Sequence, residues 1–301
     1  MAKPVFILAG QSNVGTLSNE IEDALDERYG EGNYQLVKVF SPGAPITRAR
    51  PDKPDWYNED ELQAELSDKT LEALTSDPNS VVGGVLWIQG EADTFRDSAA
   101  QKWGEKFEAL IDDFRDDVAA VMGPRDIGLS NAPVSILELS ENAPDADGRE
   151  GWDTIIDEQR GYAAEHSSVY TVDPDKIANF AGVGQADMFK DGLHYAPEFS
   201  EELAEELVAT LPPASEFDLE ESAGNGAGAP VDLPIDDPID DQVDAPTDEP
   251  DTPLGLPVVD PVDIPDEIEE ESVEADDGGF DFDGAIIGLL LLPLLAAAGL
   301  A

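Results

Sequence analysis

Five short apolar runs separated by helical stretches constrain this chain more than any other feature. Val5–Ala9 and Val81–Ile88 are the strongest, and Tyr34–Phe40, Val134–Leu139 and Val169–Val172 complete the set. Runs this rich in β-branched and large apolar residues read as buried strands. Between and after them lie helix-like segments at Glu20–Arg28, Asp60–Leu74, Ser98–Met122, Asp153–Glu165 and about Pro197 to Leu211. Within Ser98–Met122, residues Trp103, Phe107, Leu110, Ile111, Phe114, Val118 and Val121 recur every three or four positions, which marks one buried face. Strands alternating with helices imply an α/β fold with a parallel sheet covered on both sides. About 210 residues suffice for one such core.

Charge divides the chain. Acidic residues number 68 and basic residues 16, a formal net charge of −52, and no Lys or Arg follows Lys190. A surface this anionic repels phosphate backbones and argues against a nucleic-acid partner. The absence of cysteine excludes disulfides, thiolate catalysis and cysteine-based zinc sites. With only His166 and His194, a histidine-rich metal site is not expected either. Met1-Ala-Lys-Pro4 leads straight into the first strand, so no cleaved N-terminal signal is expected.

Three regions follow: a folded domain over 1–212, an acidic Pro-rich linker over 213–283 and an apolar end over 284–301. The linker has the composition of a disordered segment. Its Asp276-Asp-Gly-Gly-Phe-Asp-Phe-Asp283 stretch faintly echoes a calcium repeat, but nothing recurs at fixed period. Gly284–Ala301 carries no charge over 18 residues, close to the ~20 a bilayer span needs. It is expected to contact membrane and place the protein at a membrane or cell envelope, with an export or sorting signal as the alternative. No feature indicates an oligomeric state.

The first strand ends on Gly10-Gln-Ser-Asn13, which sets Ser12 at the carboxyl edge where open α/β sheets bind ligands. An ordinary turn with a surface serine reads equally well from these four residues alone. Serine is nucleophilic at neutral pH only beside a base, and that base needs a carboxylate to hold its tautomer. His166 closes a helix and reads as an exposed cap. His194 sits in a loop with Asp191 three residues before it, so one short turn brings the carboxylate to Nδ1 and leaves Nε2 for Ser12. Taken alone, Asp-Gly-Leu-His is a plain turn. Donors for a developing oxyanion are the Ser12 N–H, the Gly43 N–H in the loop after the second strand, and the Gln89 amide after the third. Glu91 and Asp93 also fit a helix-initiating loop, near the next N-terminus.

Gly10-Gln-Ser-Asn13, Trp87-Ile-Gln-Gly-Glu-Ala-Asp93 and Asp191-Gly-Leu-His194, in that order, resemble the SGNH (GDSL-type) hydrolases. They are most similar to the branch of sialic-acid 9-O-acetylesterase-like and carbohydrate esterase family 6 proteins. The resemblance spans roughly residues 4–211. It implies a three-layer α/β/α flavodoxin-like fold and hydrolysis of O-acetyl esters on carbohydrate, with no metal or organic cofactor. It carries over Ser12 as nucleophile, His194 as general base and Asp191 as its orienting partner. It makes Gln89 the counterpart of the oxyanion-hole side chain, beside the Ser12 and Gly43 amides. Glu91, and Asn13 beside the nucleophile, fall behind these groups, Glu91 as a structural carboxylate or a second partner to the histidine. Three departures stand out. Val14 replaces a methionine, Ile88 replaces a histidine, and Ser41-Pro-Gly-Ala-Pro-Ile46 matches the family's loop only in part, with Trp56 the one tryptophan shortly after it. Two alternatives remain open: a surface-tethered carbohydrate-binding module without turnover, and a hydrolase of lipid esters or thioesters.

Overall fold

The apolar runs do pair side by side. A computed structural model of the chain describes residues 2–219 apart from 57, 58, 124 and 126. Its strands are β1 (Lys3–Gly10), β2 (Gln35–Phe40), β3 (Ser80–Ile88), β4 (Val134–Leu137) and β5 (Val169–Val172). They form one sheet in the order β2-β1-β3-β4-β5, parallel at every pairing. Alternate residues of β1 enter two separate cores: Val5, Ile7 and Ala9 on one face, Phe6 and Leu8 on the other. A parallel strand clothed on both faces must be apolar throughout, which explains the unbroken run at Val5–Ala9.

Helices α1 (Ser12–Tyr29), α6 (Pro174–Ala181) and α8 (Pro197–Ala209) cover the Phe6 face. Helices α2 (Ala64–Ser76), α4 (Trp103–Met122) and α5 (Trp152–Glu165) cover the other, giving three α/β/α layers. Two short helices, α3 (Asp97–Ala100) and α7 (Gln185–Met188), sit in connections. The expected helix at Ser98–Met122 is thus two helices. Val121, expected on the buried face, is 64% exposed. A 3.6-residue period carries the stripe from Val118 to Met122 instead, and Met122 packs on the core.

Helix α1 begins at Ser12, eight residues before the composition suggests. Gly15, Thr16, Ser18 and Asn19 are poor helix formers. The buried series Val14, Leu17, Ile21, Leu25 and Tyr29 overrides them at helical spacing. No helix-like segment is read from the sequence over residues 174–181, yet the ends of α6 are conventional: Asp173 accepts from the Asp175 and Lys176 amides, Pro174 opens the first turn, and Gly182 closes it in the left-handed conformation.

The folded domain continues past the expected boundary at 212. Arg28 donates to the Val208 and Leu211 carbonyls, and the Tyr29 hydroxyl donates to the Pro212 carbonyl at 2.6 Å. Ala214 and Phe217 are buried against the β1 core, where the Phe217 ring packs near Phe6 and Tyr29. The acidic segment from 220 onward and the expected membrane-contacting end at 284–301 lie outside the described residues. Among the described residues no helix is long and apolar enough to cross a membrane.

Strand order reverses between β1 and β3, and their carboxyl ends therefore border the crevice of the sheet. Gly10 allows this closeness. Its φ is +144°, and a Cβ there would lie 2.0 Å from the Ile88 carbonyl oxygen. The clash is with backbone, which cannot swing aside. Gly10→Ala is expected to cost roughly 3 kcal/mol or more, combining a disfavoured φ with overpacking. Chemical denaturation measures it directly; an unchanged midpoint would refute the steric account.

Candidate active site

Helix α1 starts on the nucleophile candidate itself. Its first N–H groups have no acceptor within the helix and its dipole places partial positive charge there. No acidic residue in the first turn offsets that charge. Gln11 is the N-cap position, but its side chain serves elsewhere, accepting from the Ala92 N–H at 3.1 Å.

His194 reaches Ser12 from the far side of the chain. Residues 188–196 close on themselves: the Lys190 N–H donates to the His194 carbonyl, the Ala196 N–H donates to the Met188 carbonyl, and the Phe189 and Tyr195 rings stack at 5.0 Å. At the tip, Asp191 Oδ1 accepts the backbone N–H groups of Leu193 and His194, both at 2.8 Å. This is an aspartate-led turn. The same carboxylate faces His194 Nδ1 at 3.0 and 3.2 Å. Nδ1 therefore carries the imidazole proton, and Nε2 accepts the Ser12 hydroxyl at 2.9 Å. Desolvation pushes Asp191 up, but the two N–H groups and the imidazole outweigh it and hold the carboxyl down at about 2. Asp191 is therefore ionised at neutral pH.

Asn13 locks the two halves together. Its amide donates to Glu91 Oε1 at 2.6 Å and to the Leu193 carbonyl at 3.2 Å, while its oxygen accepts the Tyr195 N–H. Glu91 is buried, and its Oε2 has no partner among the described residues. Burial pushes the Glu91 carboxyl up, opposed by its own backbone N–H, Asn13, Arg149 and His194. Both imidazole nitrogens already face other groups, so Glu91 supports the histidine loop through Asn13 rather than by touching the ring. Arg149 braces the same turn by donating to the Glu91 carbonyl at 2.7 Å.

Ser41-Pro-Gly-Ala44 forms a β-turn closed by the Ala44 N–H on the Ser41 carbonyl at 3.1 Å. Proline at the second position and Gly43 at the third, with φ +72°, match a type II turn. The Ser41 N–H in turn reaches the Gly10 carbonyl. Trp56 is buried and donates to the Gly10 carbonyl at 3.1 Å, so it does pack on the nucleophile turn.

Gln89 departs from expectation. Its Nε2 donates to the Ala44 carbonyl at 3.2 Å and to Asp93, and its Oε1 accepts the Trp103 indole N–H at 3.0 Å. Both amide hydrogens serve the loop, leaving none for an oxyanion. Asp93, fully buried, accepts that amide together with the Ile46 and Thr47 N–H groups and the Thr47 hydroxyl. Burial pushes its carboxyl up against these four donors. Residues 91–95 are a turn, not the start of a helix. His166 is the C-cap position of α5, as expected, but it is half-buried rather than exposed, stacked on the Tyr162 ring with Nδ1 on the Tyr162 carbonyl at 2.8 Å.

Sequence reasoning missed Thr47, Arg149 and Gln159, and it gave Asp93 no more than a place near a helix start. Gln159 carried a signal: it is polar at a buried position of α5, following Trp152, Ile155 and Ile156. It ties the Gln89 carbonyl at 3.0 Å to the Leu139 N–H at 3.1 Å.

Residues 33–207, more than half of the chain, match the family described as carbohydrate esterase, sialic acid-specific acetylesterase. The match takes in Gly43, Gln89, Asp191 and His194 but begins after Ser12. No curated protein matches the chain. Among solved structures, a protein from Arabidopsis thaliana is similar at 17% identity and TM-score 0.49, covering 72% of this chain and 100% of its own. NanS is similar at 13% identity and TM-score 0.49, covering 69% and 97%. A carbohydrate acetylesterase from Xanthomonas citri is similar at 15% identity and TM-score 0.43, covering 69% and 55%. The chain belongs to the sialic acid-specific acetylesterase family of carbohydrate esterases and is a carboxylic ester hydrolase of the acetylesterase kind.

Proposed function

We propose that the protein removes O-acetyl groups from carbohydrate by a double-displacement mechanism on Ser12. The observation that carries this reading is the continuous line Asp191–His194–Ser12, with contacts of 3.0 and 2.9 Å. Nε2 takes the hydroxyl proton as Ser12 Oγ attacks the acetyl carbonyl, and a tetrahedral oxyanion forms. The Ser12 and Gly43 N–H groups are its donors. As the intermediate collapses, the imidazolium returns the proton to the departing sugar hydroxyl, leaving acetyl-Ser12. Water, deprotonated by the same nitrogen, then releases acetate and restores the serine. Asp191 stays ionised throughout and holds the tautomer.

The family description supports an acetylated sugar as substrate, and a preassembled nucleophile–base pair favours turnover over a binding module. Acetate release from a panel of O-acetylated sialosides and acetylated xylan, by wild type and His194→Ala, tests the proposal. Release from at least one glycan by wild type alone is expected. Release only from short lipid esters would move the substrate to another class.

A further inference from the structure

We propose that Asp93 is a positioning residue for the reaction: through the 44–47 loop it sets the Gly43 N–H beside the Ser12 N–H as the second oxyanion donor. The inference rests on the Ser12 mechanism above and extends it to a residue that touches no reacting atom.

Three observations carry it. First, the type II turn spends the Ala44 N–H on its closing bond and leaves the Gly43 N–H without an acceptor among the described residues. Second, the segment directly after that turn is held by two side chains that follow β3, together with the Trp56 N–H on the Pro45 carbonyl at 2.9 Å. Gln89 takes the Ala44 carbonyl, and Asp93 takes the Ile46 and Thr47 amides and the Thr47 hydroxyl. Third, Gln89 and Asp93 also bond each other, so one buried unit fixes both ends of residues 44–47. A carboxylate suits this place because its two oxygens accept all four donors, and an asparagine amide would turn two hydrogens toward groups that are themselves donors. Gln89 is then part of the scaffold that aims the donor, in place of being the donor.

The test compares Asp93→Asn, Gln89→Met and the double variant with p-nitrophenyl acetate, alongside Ser12→Ala. Losing an oxyanion donor outright costs about 10² to 10³ in kcat, so a displaced one should cost roughly 10- to 100-fold. Each single variant is expected to lower kcat by that range at unchanged KM. Because both act on one loop, the double variant should fall little below the weaker single, a non-additive cycle. An Asp93→Asn protein that unfolds like wild type and keeps its kcat overturns the assignment, as do losses that multiply. Should Asp93→Asn not fold, Thr47→Val removes one donor from the same carboxylate. A several-fold loss of kcat at unchanged KM then supports the assignment, and an unchanged kcat overturns it. Ser12→Ala separates the two levels: full activity there sinks the nucleophile reading itself, whereas an inactive Ser12→Ala with an active Asp93→Asn sinks only the positioning role.

Discussion

Ser12→Ala is expected to lower kcat for p-nitrophenyl acetate by about 10⁴-fold or more, with the unfolding midpoint unchanged. The magnitude follows from removing the group that forms the acetyl-enzyme, without which His194 and Asp191 have no acyl intermediate to act on. Stability should hold because Ser12 lies at a helix start, half-buried, and among the described residues its hydroxyl bonds only the His194 ring. The Ser12 N–H, the donor proposed for the oxyanion, survives the substitution. A residual rate above the uncatalysed one is therefore expected, small but measurable. Kinetics and thermal unfolding of the same preparation check both halves.

The second large effect is expected at Asp191. Asp191→Asn keeps the size of the side chain and one oxygen for the Leu193 and His194 amides. It removes the charge that fixes the proton on Nδ1. With an amide hydrogen there, the ring is driven to the tautomer that protonates Nε2, the atom that must accept from Ser12. A loss of about 10³ to 10⁴ in kcat is expected, as for other triads with the wrong tautomer. The pH profile sharpens this. Asp191 is held at about 2 in the folded protein, below the ordinary value near 3.9 for a free aspartate. Its contribution is complete above the ordinary value and disappears only as pH falls toward 2. No loss of activity above about pH 4 is then expected from protonation of Asp191. An Asp191→Asn protein that keeps the wild-type kcat at neutral pH would contradict the role given to its charge.

Much of this was legible in the residues, for identifiable reasons. A strand buried on both faces needs an unbroken apolar run, so β1 and β3 announced themselves. A chain with two histidines, one at a helix end, leaves His194 as the candidate base for Ser12. What stayed hidden depends on contacts between distant segments. Helix α1 starts at Ser12 because Val14 and Leu17 bury against the sheet, a tertiary demand that outweighs four weak helix formers. The fold runs past 212 because Phe217 returns to Phe6 and Tyr29, which no local pattern foretells. Asp93 looked like a charge near a helix start, yet it is fully buried among donors from a loop 46 residues earlier. Gln89 showed its type and place in the sequence, but which way its amide points is decided by Ala44, Asp93 and Trp103.

The central claim is that His194, oriented by Asp191, activates Ser12. A fluorophosphonate probe tests it most directly, because it traps only a serine made nucleophilic by its neighbours. Wild type should gain one adduct, mapped by peptide mass spectrometry to Ser12, and His194→Ala should remain unlabelled under the same conditions. Labelling of a different serine, or equal labelling of Ser12 in both proteins, would contradict the account.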